Sequence, residues 1–327
     1  MKWLVQLTAA ALGALLVGVG LGVFASGFFS SAGSACTSQY TYINPEPDCD
    51  TFDERSSRLD ALQEKLDAKV KNLELQPNVD HVAVFTRDLV TRRFAGVNDV
   101  HSFYMASLLK VPILIAYYKF AEVEPKILDD GITYDGSINE YDLQDIPVPD
   151  HLVVGKSYTV SELLYHSVAN SDNTAAQILM QRLPSDFLDK VLTALGTQFQ
   201  KPEGEKEDLI TARSYAGVFR VLYNASYLSR EYSNKALELL THTSFDKGAA
   251  AGIPAGTAIA HKYGERANVD PKTDAVVSRQ LHDCGIIYAH SGSHPYIFCI
   301  MTQGNDFSAL QSAIRDLSAT IYNALEE

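Results

Sequence analysis

The chain has 327 residues, of which 46% are hydrophobic and 20% are charged. This composition is typical of a globular protein and excludes extended disorder, and the length is enough for one large domain or two small ones. The net charge of −13 at pH 7 argues against a nucleic-acid-binding protein, because no basic stripe is present to neutralise phosphates.

The first element in chain order is an apolar run, in which Trp3 to Phe29 carries no charged residue. About 20 apolar residues span a bilayer, whereas the apolar core of a signal peptide has roughly 7–15. We therefore expect residues 1–29 to form a single-pass membrane anchor, followed by a linker over residues 30–52 and a body outside the cytoplasm. The small residues before Cys36 leave open a cleaved signal and a secreted chain.

Residues 53–75 are predicted to form an amphipathic helix, and the pattern then changes to two short strands. The strands cover residues 81–86 and 93–97, and a turn joins them. After these strands comes an apolar helix that carries Ser107. The apolar face of the first helix is formed by Leu59, Leu62, Leu66, Val70 and Leu73.

A block of helices follows an irregular stretch over residues 122–158. Thr159 and Glu162 have the spacing of a capping box, which predicts a helix from there through His166. Further helices are expected after Asn173, over residues 184–196, from Thr211 to Leu228, and from Ser233 to Thr241.

The C-terminal part is predicted to contain three strands, over residues 258–265, 278–289 and 294–302, and a final helix capped by Asp306. Strands at both ends of the chain with helices between them indicate an α/β (α+β) fold. We expect an antiparallel five-stranded sheet flanked by N- and C-terminal helices, with an inserted all-helical domain. The main domain, 53–327, then divides into a sheet subdomain, 53–104 with 242–327, and a helical subdomain, 105–241.

Four cysteines are present and none forms a Cys-x-x-Cys pair, so a zinc site or thioredoxin-like chemistry is not expected. A two-residue hairpin turn at Ser291-Gly292 would place Cys284 directly opposite Cys299. This pair then forms either a disulfide, which an exported chain permits, or two buried free thiols.

Three short motifs occur in order: Ser107-Leu-Leu-Lys110, Ser171-Asp-Asn173 and Lys262-Tyr-Gly264. The first form is not specific, because Ser244 and Lys247 repeat its spacing, but the other two forms occur once each. Their chemistry is complementary, since a serine hydroxyl needs an adjacent base to act as a nucleophile.

Lys110 follows Ser107 by one helical turn, which brings its amine beside the hydroxyl. Burial and a neighbouring positive charge lower a lysine pKa, and Lys262 can supply that charge. Ser171 is predicted to relay a proton to the departing nitrogen of an amide. These roles make Ser107, Lys110 and Ser171 the candidate catalytic residues.

The remaining candidates bind substrate. Asn173 offers an amide group, and Gly264 allows a substrate backbone to lie along the strand. The backbone N–H groups of Ser107 and Glu265 are predicted to hold the oxyanion. Lys262 completes the set by positioning substrate.

Together the three motifs resemble those of the penicillin-recognising serine hydrolases, most closely the class A β-lactamases. Their flanks, residues 106–112 and 158–164, are similar as well, and the resemblance runs from residue 53 to the end. It implies a bacterial enzyme of β-lactamase/D,D-peptidase-like fold that acylates Ser107 with a β-lactam or related amide. The acyl-enzyme is then hydrolysed without a metal or cofactor.

Two features depart from that family. Tyr263 stands where a Thr or Ser usually helps to bind the substrate carboxylate, a task that the nearby Arg266 could assume. The segment between Gly196 and Thr211 is too short for the loop whose glutamate activates the deacylating water. Candidates for that water's base are Glu203, Glu205 and Glu207, although a solvated charged turn explains them as well.

These departures leave two alternatives open. One is a penicillin-binding D,D-peptidase that acts on cell-wall peptides. The other is a non-hydrolytic penicillin-binding or sensor module that keeps the fold but releases its acyl group slowly or never acylates.

Overall fold

The computed structural model describes residues 40–44, 59–141, 144–184, 186–196, 209–270, 272–273 and 275–326. The apolar run and the three candidate glutamates between residues 197 and 208 lie outside these ranges, as do Cys36 and Cys49. Among the helices within these ranges, none combines the length and apolarity that a bilayer crossing requires.

The described strands are β1 (Val79–Asp88), β2 (Phe94–Val97), β3 (Ser102–Tyr104), β4 (Gly131–Thr133), β5 (Ser157–Thr159), β6 (Leu209–Thr211), β7 (Ala258–Val269), β8 (Val276–Ala289) and β9 (His294–Gly304). The described helices are α1 (Asp60–Glu74), α2 (Lys110–Ala121), α3 (Val160–Val168), α4 (Asn173–Arg182), α5 (Phe187–Ala194), α6 (Ala212–Tyr223), α7 (Arg230–Leu240) and α8 (Phe307–Glu326). A 3₁₀ turn, Ala106–Leu109, leads directly into α2.

Five strands form one antiparallel sheet in the order β2-β1-β9-β8-β7, which confirms the predicted fold class. The chain enters the sheet through β1 and β2 and returns to it through the three C-terminal strands. Strand β7 lies at one edge of this sheet. The free edge of β7 can therefore face the helical insert, and β7 itself carries the third motif.

Apolar side chains fill both faces of the sheet. On one face, Ile286 belongs to a buried cluster that includes Leu114 of the helical insert. On the other face, Ile300 shares a cluster with Leu66 of α1 and Ile314 of α8. Each fully buried aliphatic side chain of this kind stabilises the fold by about 1.5–3 kcal/mol. The sheet is thus held between the terminal helices and the insert.

A disulfide joins Cys284 of β8 to Cys299 of β9, with an S–S distance of 2.10 Å. The two residues are direct partners in the strand register, and the last pair before the turn is Ala289 with His294. The register expected for the two cysteines is therefore confirmed, but the connection is a loop of residues 290–293 and not the predicted two-residue turn. The alternative of two free thiols at this pair is wrong.

The capping box predicted at the start of α3 is present. The backbone N–H of Glu162 donates to Thr159 Oγ1 at 3.1 Å, and the backbone N–H of Thr159 donates to Glu162 Oε2 at 2.7 Å. The helix continues to Val168, two residues beyond the predicted end. The irregular stretch before it also contains the short antiparallel pair β4–β5.

The boundaries of three further helices differ from the prediction, and the first is α5, which spans Phe187–Ala194 and not residues 184–196. Helix α6 ends at Tyr223 and not at Leu228, because Ala225 has the left-handed φ of 47° and turns the chain. Helix α7 begins at Arg230 and not after Ser233, since the side chain of Ser229 caps its first turn by accepting from the backbone N–H of Tyr232. The serine that was expected to cap this helix is buried inside it.

Residues 40–44, which the sequence analysis placed in the linker, pack against the domain, and we call them the N-terminal strap. The backbone N–H of Asn44 donates to Tyr223 O at 2.6 Å, and the Tyr288 hydroxyl donates to Tyr42 O at 3.0 Å. Ile43 is 3% exposed and joins the buried cluster on the insert side. The strap therefore bridges α6 and β8.

Candidate active site

Ser107 lies in the 3₁₀ turn that precedes α2, on a backbone fixed from two sides. Ala106 adopts a left-handed φ of 47°, a conformation that costs a non-glycine residue roughly 1–3 kcal/mol. Just before it, the main chain of Tyr104 is gripped by β8: its N–H donates to Gln280 Oε1, and its carbonyl O lies 3.1 Å from His282 Nε2. These contacts hold the serine segment against the sheet.

Lys110, one turn after Ser107, directs its amine into the same site. Lys110 Nζ lies 2.9 Å from Ser107 Oγ, and 2.6 and 3.2 Å from the carbonyl O and the Oγ of Ser171. Asn173 Oδ1 lies 2.6 Å from the same nitrogen, so four acceptors share the hydrogens of this amine. The side chain is almost fully buried, and this burial lowers the Lys110 pKa to about 7 even though Asp172 opposes the shift. An amine with such a pKa can accept a proton at neutral pH.

Ser171 lies in the turn between α3 and α4, where its own φ of 56° is left-handed. The turn is fixed because Asp172 caps α4: its carboxylate accepts from the backbone N–H of Ala175 at 3.0 Å, and its N–H donates to His166 O. The helix then begins at Asn173, which places the amide of that residue beside Lys110. The second motif is thus a helix start whose residues face the first.

Lys262 reaches the site from the edge strand β7. Lys262 Nζ donates to Ser171 Oγ at 2.7 Å and to Tyr263 O at 2.8 Å. Its side chain has no exposed surface, and burial lowers the Lys262 pKa well below its ordinary value, with Lys110 adding a smaller effect of the same sign. The Ser171 hydroxyl therefore lies between the amines of the two lysines.

Gly264 marks the closest approach of β7 to the nucleophile segment. A Cβ at this position would lie 3.3 Å from both Leu108 N and Met105 O. That spacing is tighter than ordinary carbon contacts, so a side chain here would push the strand away from Ser107.

Glu265 follows on the same strand and joins it to a rim segment of residues 144–146. Its two carboxylate oxygens lie 3.0 and 2.9 Å from the backbone N of Ile146. Burial raises the pKa of Glu265 to about 7, and Asp145 adds to the rise. The backbone N–H of Glu265 stays a predicted oxyanion donor, as does that of Ser107.

Tyr263 places its ring beside Lys262 and Ser171. The ring stacks on Phe245 at a centroid distance of 4.5 Å, and Lys262 Nζ lies 4.0 Å from the Tyr263 centroid. The phenol also interacts with the Ser171 side chain. Arg266, which the sequence analysis offered as a carboxylate ligand, places its guanidinium 3.9 Å from the Tyr104 ring centroid.

Three positioning residues were missed by the sequence analysis. Gln144 accepts from the backbone N–H of Asn173 at 3.1 Å and donates to Ser171 O at 3.1 Å, so it holds the second motif in place. Nothing in its irregular surroundings signals this. Gln280 and His282, by contrast, are polar residues two apart on the predicted strand 278–289, and both are buried. A buried polar side chain requires a hydrogen-bonding partner.

Comparison with known proteins places this geometry in a family. The sequence profile of the Beta-lactamase enzyme family matches residues 65–325. The structure of PBP-A is similar with a TM-score of 0.66 at 21% identity, over 84% of this chain and 99% of that one. A mutant of PBP-A in an acyl-enzyme complex with penicillin G gives 0.67 at the same identity and coverage.

The class A β-lactamase from Mycobacterium abscessus gives a TM-score of 0.66 at 21% identity, over 81% of this chain and 100% of that one. Comparison with curated proteins gave no match. At these identities the structural likenesses establish the fold, and the family profile covers most of the chain. The protein therefore belongs to the β-lactamase enzyme family and has the fold of the class A β-lactamase-like serine hydrolases.

Proposed function

We propose that the protein is a serine hydrolase whose Ser107 is acylated by a β-lactam or a related amide. The observation that supports this best is the contact of Lys110 Nζ with Ser107 Oγ at 2.9 Å, within a network that also includes Ser171 and Lys262. A nucleophile, a base with a lowered pKa and a second hydroxyl between two amines are the parts that acyl transfer from an amide requires.

The proposed reaction starts with neutral Lys110. As Ser107 Oγ attacks the carbonyl carbon, its proton passes to Lys110 Nζ, and the carbonyl oxygen becomes an oxyanion held by backbone N–H groups. When the C–N bond breaks, Ser171 gives its proton to the departing nitrogen and is reprotonated from the adjacent amines. Water then attacks the ester, the Ser107 hydroxyl is regenerated and the acid is released.

Asn173 positions the substrate in this proposal, Lys262 holds the Ser171 hydroxyl at 2.7 Å, and Gly264 lets β7 lie close to the segment that carries Ser107. The apolar run Trp3–Phe29 supports attachment of the enzyme to a bacterial membrane, with the domain on the extracytoplasmic side. A chain released there after signal cleavage is the alternative.

A specific observation also favours slow deacylation. Within the described ranges, the hydrogen-bonding partners of Ser107 and Lys110 include no carboxylate oxygen. A carboxylate beside the ester is one way to activate the attacking water. A penicillin-binding D,D-peptidase or sensor, which keeps its acyl group for longer, is therefore the second candidate.

Mass spectrometry after exposure to a fluorescent penicillin tests the proposal. We expect a covalent adduct on Ser107, lost in Ser107→Ala and retained in Ser244→Ala, which removes the serine of the other Ser-x-x-Lys sequence. An adduct that disappears within minutes identifies a β-lactamase, and one that persists identifies a peptidase or sensor. Labelling that survives in Ser107→Ala would refute the assignment.

A further inference from the structure

The ammonium group of Lys262 has three hydrogens, and each of them is directed to a group of the protein. Two are donated to Ser171 Oγ at 2.7 Å and to Tyr263 O at 2.8 Å. The third side of the ammonium faces the Tyr263 ring, whose centroid is 4.0 Å from Nζ, a cation–π contact. The lysine therefore has no hydrogen left for an anionic substrate group.

The Tyr263 ring is fixed in this place. It is only 1% exposed, it stacks on Phe245 at 4.5 Å, and its phenol interacts with the Ser171 side chain. The ring thus occupies the space beside both Lys262 and the second serine. A substrate carboxylate could reach that amine only by displacing a buried aromatic ring.

The charges around the two lysines lead to the same conclusion. Asp172 and Glu265 act electrostatically on Lys110, and Asp283 and Glu265 act on Lys262. Three acidic groups therefore act on two amines whose charged form is destabilised by burial, and Glu265, with a pKa of about 7, carries most of its charge only above neutral pH. A fourth carboxylate brought by a substrate would be repelled without gaining a hydrogen bond.

Arg266 does not compensate for this. Its guanidinium lies over the Tyr104 ring at 3.9 Å, and its Nε donates to Asn268 Oδ1 at 2.8 Å. The arginine is held along the strand by these contacts, which leaves the substrate side of β7 with a carboxylate, that of Glu265, as its next charged group.

We propose that the site selects amides whose substituent beside the scissile bond is neutral or cationic and discriminates against a carboxylate there, with Tyr263 as the residue that enforces the choice. The inference rests on the proposed acylation of Ser107 and names its substrate class. A substrate carboxylate would be buried at this place without a hydrogen-bonding partner, which is strongly unfavourable.

Acylation rates of three related compounds test this: benzylpenicillin, its neutral methyl ester and its cationic aminoethyl amide. The second-order rate constant for adduct formation at Ser107 is measured by mass spectrometry. For the wild-type chain we expect the ester and the amide each to react at least tenfold faster than the carboxylate. In Tyr263→Thr, which frees one face of the ammonium, this ratio should fall by at least tenfold.

Two variants control the measurement. Tyr263→Phe keeps the ring over Lys262 and should keep the wild-type ratio, which separates the ring from the phenol. Tyr165→Thr makes the same exchange at an exposed tyrosine and should change nothing. A wild-type chain that reacts with the carboxylate as fast as with the ester would overturn the inference and leave the proposed function intact. A lack of adduct from all three compounds would instead overturn the proposed function.

If Tyr263→Thr does not fold, Glu265→Gln provides the second test. Removing this negative charge should raise the carboxylate rate several-fold relative to the ester rate. An unchanged ratio in every variant that folds would contradict the proposal.

Discussion

At the scale of single residues, the burial of Lys110 and Lys262 lowers the pKa values of both amines, which the proposed proton transfer requires. A buried ammonium loses its hydration, so its proton is held less tightly and the pKa falls. Lys110 is brought to about 7 in this way, while Lys262 is lowered as well and adds repulsion between the two. The proposed chemistry thus depends on two lysines that the surrounding structure destabilises in their charged form.

The rate of Ser107 acylation should therefore rise with pH. Between pH 6 and pH 8 the neutral fraction of an amine of pKa about 7 increases about tenfold, and only the neutral form can accept the serine proton. Stopped-flow acylation with a neutral substrate across this range measures the rise. Lys110→Ala should lower the rate by roughly 100-fold or more and remove the rise.

Glu265, with a pKa of about 7, titrates in the same range and serves as the control. Its carboxylate raises the pKa of Lys110, so Glu265→Gln should move the midpoint of the rise to lower pH. Loss of the rise in Glu265→Gln would mean that the glutamate is the titrating group, and the role given to the lysine would be wrong.

At the scale of elements, the hairpin β8–β9 forms the centre of the sheet and is closed by the Cys284–Cys299 disulfide. The disulfide lies on the strand next to the third motif, because Cys284 is also the register partner of Lys262 on β7. The strand that presents this lysine is thus paired with a covalently tied neighbour.

Replacing both cysteines by alanine should lower the free energy of unfolding by about 3 kcal/mol, the value expected for a cross-link with a sequence separation of 15. Urea denaturation followed by circular dichroism measures the change. The wild-type chain in reducing buffer should show a similar loss. Equal stability of the oxidised wild-type chain and the double variant would contradict the expectation.

The five strands of the main sheet could be predicted from sequence because their signals are local, whereas their order in the sheet and the short strands β3 to β6 were not predicted. Ser291 and Gly292 mark the hairpin connection and hence the register of the two cysteines, and the capping box of Thr159 and Glu162 fixes a helix start. The ends of α6 and α7 could not be predicted, because a left-handed alanine and a choice between two serines depend on packing.

The same distinction applies to the site. Motif spacing brings Ser107 and Lys110 together within one helix, which sequence alone can show. The position of the Tyr263 ring, in contrast, depends on Phe245 from a distant segment. The hydrogen bonds of Gln144 to the main chain of Ser171 and Asn173 likewise depend on a loop whose sequence has no periodic pattern.

At the scale of the whole molecule, the N-terminal strap contacts both the sheet and the helical insert. It reaches β8 through Tyr288 and reaches α7 through Asn234, whose Oδ1 accepts from the backbone N–H of Tyr42 at 2.9 Å. Arg230 covers the Tyr40 ring, with its guanidinium 5.5 Å from the centroid. A segment held by this many contacts contributes to stability as a part of the domain.

Ile43→Ala should therefore lower the free energy of unfolding by about 3 kcal/mol, because it leaves a cavity where the side chain is 3% exposed. Ile43→Val, which removes one methyl group, should cost only about 1 kcal/mol. Thermal and urea unfolding of the full chain measure both. If Ile43→Ala is as stable as the wild-type chain, the strap does not belong to the folded domain.

In the proposed anchored form, the N-terminal strap also determines how many residues separate the membrane from the domain. The apolar run ends at Phe29, and the Tyr40 ring contacts the domain through Arg230. The ten residues between them can reach at most about 36 Å, so such an anchor would keep the domain close to the lipid headgroups. Compounds that have just crossed or left the bilayer would meet the enzyme there first, and an uncharged amide is the kind of molecule that crosses.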